Sequence, residues 1–201
     1  KLPSIIVGKI SKERNASIQE KIWKYPGFFI LKSSVRNYPV SIASNLLGYV
    51  SEVNRNDMKK DHYYSLGESI GRQGIEEYYE NFLRGKKGKK FYQKDRFNRI
   101  IGSYENGKYD VPVEGSQNLY LTIERELQQY GEELFQNKRG GIVAIEPKTG
   151  EVLALVSAPS YDPNLLVGRK RSENFRKLVL DTIGKPLFDR GLQAQYAPGS
   201  P

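Results

Sequence analysis

The strongest constraint on the fold lies at residues 140–158, where "GGIVAIE" and "EVLALVSA" flank the tetrapeptide "PKTG". Two apolar runs joined by so short a turn fold back on each other as an antiparallel hairpin. Both runs are nearly continuous, so each strand is expected to be covered on both faces or to lie centrally in a sheet. Just upstream, "ERELQQYGEELFQN" puts Leu127, Tyr130 and Leu134 on one helical face, after a strand-like "NLYLTI". Thr122 is the expected N-cap, and Glu124 and Glu126 suit the positive end of the helix dipole. A helix laid across a hairpin defines an α+β layer.

The first half of the chain carries weaker signals. "SKERNASIQEKIWKY" predicts a helix capped by Ser11 and stopped at Pro26–Gly27. "FFILKSSV" reads as a strand, and "SIASNLLGYV" as a short helix closing at Gly48. A polar stretch runs through residues 57–61. The clearest periodicity spans residues 74–83, where Ile75, Tyr78, Tyr79, Phe82 and Leu83 recur at helical spacing opposite Glu76, Glu77, Glu80 and Asn81. The expectation is one helix with a core-packing stripe. "KKFYQKD" and "RIIGSYE" predict two strands, closed by a turn at Glu105–Gly107. The connector "DVPVEGSQ" sets an expected domain boundary, dividing residues 1–112 from residues 113–201. Beyond the hairpin come a proline-rich loop, "SAPSYDPN", and a last helical segment, "SENFRKLVLDTIG".

Composition removes several classes of function. Cysteine is absent, so there is neither a disulfide framework nor a thiolate metal site. The one histidine, His62, sits in "KKDHYYS" and is expected in an exposed loop. No apolar run approaches the ~20 residues that span a membrane. The net charge of +9 favours anionic surroundings. Its denser runs, "KKGKK" and "GRKR", are short and flanked or interrupted by glycine, and no nucleic-acid recognition motif accompanies them.

One residue invites a chemical reading. Ser200 ends the stretch "YAPGS", which could lead into a helix whose first turn carries a serine and, three residues on, a lysine. Such a pair shares one helical face, and the helix N-terminus helps stabilise an oxyanion. Serine after glycine is more usually a turn or cap residue, and this sequence by itself leaves both readings open.

The order of several segments alters the balance. "VRNYP", "IASNLLGYV", "SIGRQGIEEYYENFLRGKKG", "LYLTIERELQ", "GGIVAIEPKTGEVLALVSAPSYDPN" and "YAPGS" follow one another along most of the chain. The series resembles the class B penicillin-binding proteins, and "SYDPN" and "PLFDRGLQAQYAPGS" look most like their elongation-type branch. The resemblance implies a mixed pedestal, or dimerisation, domain at 1–112. It is followed by the first helix and antiparallel strands of a penicillin-binding transpeptidase domain at 113–201. It implies a peptidoglycan D,D-transpeptidase of cell-wall synthesis in which Ser200 is the acyl-enzyme nucleophile. That serine would attack stem peptides ending in D-Ala-D-Ala and be acylated by β-lactams. It implies no cofactor and no metal, and as partners a glycosyltransferase and cell-shape proteins rather than nucleic acid. The expected location is the outer face of the cytoplasmic membrane, with a single-pass anchor outside these residues.

The chain also departs from the family. Pro201 stands where threonine commonly follows the nucleophile, and "DRG" at 189–191 replaces the usual Asn-Arg-Ala. Proline is compatible with the first turn of a helix. Lys148–Gly150 matches the family's Lys-Thr-Gly box in letters only, since it precedes the serine and falls in the hairpin turn. The partner lysine and the remaining catalytic boxes are not among these residues, so the fragment itself is expected to be inactive. Alternatives are a division-type relative, a pedestal acting mainly as an interaction scaffold, and a β-lactam receptor, against which the pedestal motifs argue.

Overall fold

The computed structural model describes residues 6–30, 35–195 and 199. The chain forms two compact units, one made of Lys1–Tyr78 with Thr122–Pro201 and the other of Tyr79–Leu121. The architecture is α+β, built from three two-stranded antiparallel sheets and short helices.

In the larger unit, α1 (Lys12–Gln19) begins where the Ser11 side chain accepts a hydrogen bond from Arg14 N, as its sequence predicts. The expected strand over 28–35 does not form at 28–30 or 35, which lack regular structure; its other residues lie outside those described. Helix α2 (Ser44–Leu47) closes at Gly48 and leads into β1 (Tyr49–Glu52). The polar stretch that follows is a helix, α3 (Arg55–Lys60). It lacks an apolar period and is instead started by a capping box, in which Asn54 and Asp57 satisfy each other's backbone N–H groups. Strand β2 (Ser69–Gln73) pairs with β1.

The single helix expected over 74–83 is two, α4 (Gly74–Tyr78) and α5 (Glu80–Leu83), because Tyr79 leaves helical geometry at φ −101°, ψ 20°. The break ends the 3.6-residue period, and the predicted apolar stripe is not core: Tyr78 is 82% exposed and Phe82 42%. The buried residue on α4 is Glu76.

The smaller unit contains the two expected strands, β3 (Tyr92–Lys94) and β4 (Ile100–Ser103), and they pair antiparallel. Lys86 and Lys89 make isolated bridges to Glu114 and Val111.

Back in the larger unit, α6 (Arg125–Leu134) packs against β6 (Val152–Ala158), which pairs with β5 (Gly140–Ile145) in the predicted hairpin. Three details differ from expectation. "NLYLTI" is not a regular strand, although Thr122 Oγ1 donates to Val152 O and Glu124 N to Leu153 O. The N-cap is Glu124, not Thr122. Leu127, Tyr130 and Leu134 are exposed, and α6 buries Gln128 and Gly131 instead. A methyl group on Gly131 would lie 2.7 Å from Val156 Cγ2, so the small residue is what lets helix and strand approach. Nor are both hairpin strands covered as expected: among the described strands only β6 is buried along much of its length, while in this two-stranded sheet Val143 and Ile145 on β5 remain exposed. The last helix is α7 (Arg171–Leu180). No helix among the described residues is long and apolar enough to cross a membrane.

Candidate functional site

The residues that lead towards Ser200 are pinned onto the hairpin. Ser157 is 6% exposed near the end of β6. Its Oγ accepts a hydrogen bond from Arg190 N at 2.9 Å and donates to Phe188 O at 3.2 Å. The Arg190 guanidinium turns back to donate to Gly184 O at 2.7 Å and Lys185 O at 3.1 Å. Asp189 is buried, and its Oδ1 accepts from Gly191 N at 2.9 Å and Leu192 N at 3.3 Å. Gln193 N then donates to Asp189 O at 2.8 Å, closing one turn. The contact uses a side-chain oxygen, which aspartate and asparagine both carry. The chain here touches β5 backbone to backbone, for a methyl on Gly141 would sit 2.9 Å from Gly191 Cα and N. Ser200 itself lies outside the described residues.

The hairpin turn holds the Lys-Thr-Gly sequence in a role without chemistry. Gly150 adopts φ 78° and its N–H donates to Glu146 O at 2.8 Å, while Lys148 points into solvent on an exposed turn. His62 is likewise exposed. Among the described residues no cluster of three histidine, cysteine or acidic side chains could hold a metal ion.

On the opposite edge of β6, Gln128 acts as a substitute strand. It is fully buried; its Nε2 donates to Leu155 O at 2.9 Å, and its Oε1 accepts from Leu155 N at 2.8 Å. The same Nε2 donates to Glu132 Oε1 at 2.8 Å, and that oxygen also accepts from Ala43 N at 2.6 Å. Ala43 has left-handed backbone geometry, φ 54°, which is costly for a residue with a Cβ. The carboxylate therefore steadies a strained turn as well as a helix.

A second set of contacts ties residues 38–44 to the proline-rich loop. Asn164 Oδ1 accepts from Tyr38 N at 3.1 Å and its Nδ2 donates to Tyr38 O at 2.9 Å. Ser41 Oγ donates to Asp162 Oδ1 at 2.7 Å. Tyr161 donates from its hydroxyl to Ser44 O at 3.3 Å and from its N–H to Ser44 Oγ at 3.4 Å. Burial raises the Tyr161 hydroxyl above its ordinary range, as it does for Tyr38, where the Glu76 carboxylate adds to the effect. Glu76 in turn accepts from Arg36 Nη2 at 2.8 Å. Further along, Arg171 stacks over Tyr49 and Phe175, at 5.3 and 5.4 Å from the ring centres, and donates to Val50 O.

Sequence reasoning missed Gln128, Glu132 and Asn164 as fastening residues. A usable signal existed for the loop: Asp162 before Pro163 is the cap-then-proline start of the 3-10 turn at Pro163–Leu166. A cleft of about 630 Å³ lies between the end of α6, the end of β6 and the turn at Asp181–Gly184.

These features match a known class. A penicillin-binding protein dimerisation domain matches residues 1–121, and a penicillin-binding protein transpeptidase domain matches residues 140–201. The chain belongs to the penicillin-binding proteins that combine these two domains. It is 36% identical over 185 residues to the peptidoglycan D,D-transpeptidase MrdA of Escherichia coli K12, covering 89% of this chain and 28% of that protein. Among solved structures, it resembles penicillin-binding protein 2 of Helicobacter pylori in its complex with MreC, with TM-score 0.80 and 30% identity over 94% of this chain and 36% of the other. It also resembles a chain of a peptidoglycan synthase complex that coordinates polymerisation and crosslinking, with TM-score 0.65 and 27% identity over 90% of this chain and 33% of the other. The chain therefore spans less than a third of the E. coli relative.

Proposed function

We propose that the protein is a peptidoglycan D,D-transpeptidase of the elongation type, equivalent to penicillin-binding protein 2, with Ser200 as its acyl-enzyme nucleophile. The observation that carries this reading is the fastening of residues 184–193 onto the β5–β6 hairpin, within the region matched by the transpeptidase family, a few residues before Ser200. The Ser200 hydroxyl attacks the penultimate D-Ala carbonyl and forms an ester, and the terminal D-Ala leaves with the serine proton. An amino group of a second stem peptide then attacks the ester, forming an amide as the Oγ–acyl bond breaks and a proton of the amine returns to Ser200. β-Lactams acylate the same oxygen. The domain division at 112/113, a location on the outer face of the cytoplasmic membrane behind a single-pass anchor, and partners of the cell-shape and glycosyltransferase type belong to the same proposal. It draws on the likeness to a structure with MreC and to a synthase complex.

The test is release of D-Ala from a pentapeptide substrate by the full-length protein. Ser200→Ala is expected to abolish release with the fold intact; continued release would move the nucleophile to another residue.

A further inference from the structure

The run-up to Ser200 is held by one side chain outside its own segment, Ser157, and by Arg190 and Asp189 within it. We infer that Ser157 and Arg190 are positioning residues for acylation, fixing where the chain departs towards the nucleophile. The inference rests on the reading of Ser200 given above.

Two backbone groups of the run-up, Arg190 N and Phe188 O, end on one hydroxyl, Ser157 Oγ. That hydroxyl is buried on β6, the most enclosed of the described strands, where its neighbour Val156 is fully buried. Such a site is stiff, because close-packed interiors transmit displacement rather than absorb it. Arg190 fastens the other side of the crossing, since its guanidinium gathers Gly184 O, Lys185 O and Phe188 O into one fan. The Gly141–Gly191 approach leaves no room for a side chain on Gly141, so the segment crosses β5 where a glycine lets it come close. Asp189 then orders the turn up to Gln193, which precedes Ser200 by only seven residues. None of these groups needs to touch a substrate. Their effect is on the direction from which the chain reaches the nucleophile, and a misplacement of 1 Å at a reacting atom costs about a hundredfold in rate.

The experiment uses the full-length protein and a fluorescent penicillin at graded concentrations, so that the affinity of the first complex and the acylation rate constant are obtained separately. Ser157→Ala is expected to lower the acylation rate constant about ten- to a hundredfold with affinity changed less than about twofold. Ser157→Thr, which keeps the hydroxyl, restores most of the rate. Arg190→Ala, at a partly exposed site and so less exposed to folding failure, shifts the rate constant in the same direction. Wild-type acylation rates in both alanine variants would overturn the inference while leaving a Ser200 adduct intact. Parallel loss of affinity and thermal stability without rescue by threonine would also overturn it, since that pattern marks a purely structural residue. Absence of an adduct at Ser200 in the unsubstituted protein would instead be a failure of the proposed function.

Discussion

At the scale of single residues, Asn164 illustrates how a side chain can do the work of a strand. Its amide presents one acceptor and one donor to Tyr38, as a neighbouring peptide group would, and a second donor hydrogen reaches Asp162. Asn164→Ala removes these bonds and leaves part-buried backbone groups unserved, an expected loss of about 1–3 kcal/mol. Asn164→Asp is expected to cost more, although it is nearly the same size. A carboxylate accepts only, so it would face Tyr38 O and the Asp162 carboxylate with no hydrogen to offer either. Thermal denaturation of the two variants checks the order, and equal or reversed losses would contradict this account of the contact.

At the scale of elements, α3 and β2 are joined by one ion pair. The Arg72 guanidinium holds both oxygens of Asp57, and Asp57 also accepts from Asn54 N in the capping box. These hydrogen bonds, Arg72 first, lower the Asp57 carboxyl from its ordinary 3.8 to about 2. A carboxyl depressed on folding contributes stability in full above its unfolded value, and that contribution fades as the pH falls towards the folded one. The expected outcome is a loss of stability between pH 3.8 and about 2 that is smaller in Arg72→Met, measured by urea unfolding along a pH series. Identical pH profiles would remove the pair from the account. This helix also shows where sequence reading fails. Apolar runs around a short turn identified the β5–β6 hairpin, and the last helix was read as such, though it ends at Leu180 rather than at the expected Gly184. Helical periodicity missed α3, which is specified by a cap, and misjudged α6, whose buried face is polar and small, Gln128 and Gly131. A hydrogen-bonded glutamine inside a helix–strand contact carries no hydrophobic pattern. The stripe at 74–83 was legible as letters, but the break at Tyr79 interrupts it, and the pairing of Glu76 with Arg36 and Tyr38 depends on residues distant in sequence. The proposal of Ser200 as nucleophile rests on the order of segments around it.

At the scale of the whole molecule, the larger unit is discontinuous in sequence. Residues 35–52 and 122–195 belong to one compact body, fastened through Glu132, Tyr161, Asn164 and Arg171, while residues 79–121 form a body of their own. The first part of the dimerisation-domain match thus shares its packing with the start of the transpeptidase match. The proposed chemistry depends on that shared base only if Ser200 is the residue that forms the acyl-enzyme. The most direct measurement is to react the full-length protein with a labelled penicillin and locate the adduct by peptide mapping with mass spectrometry. The account predicts a single modified peptide, the one containing Ser200, and no adduct in Ser200→Ala. An adduct on any other peptide, or one that survives the substitution, would contradict it.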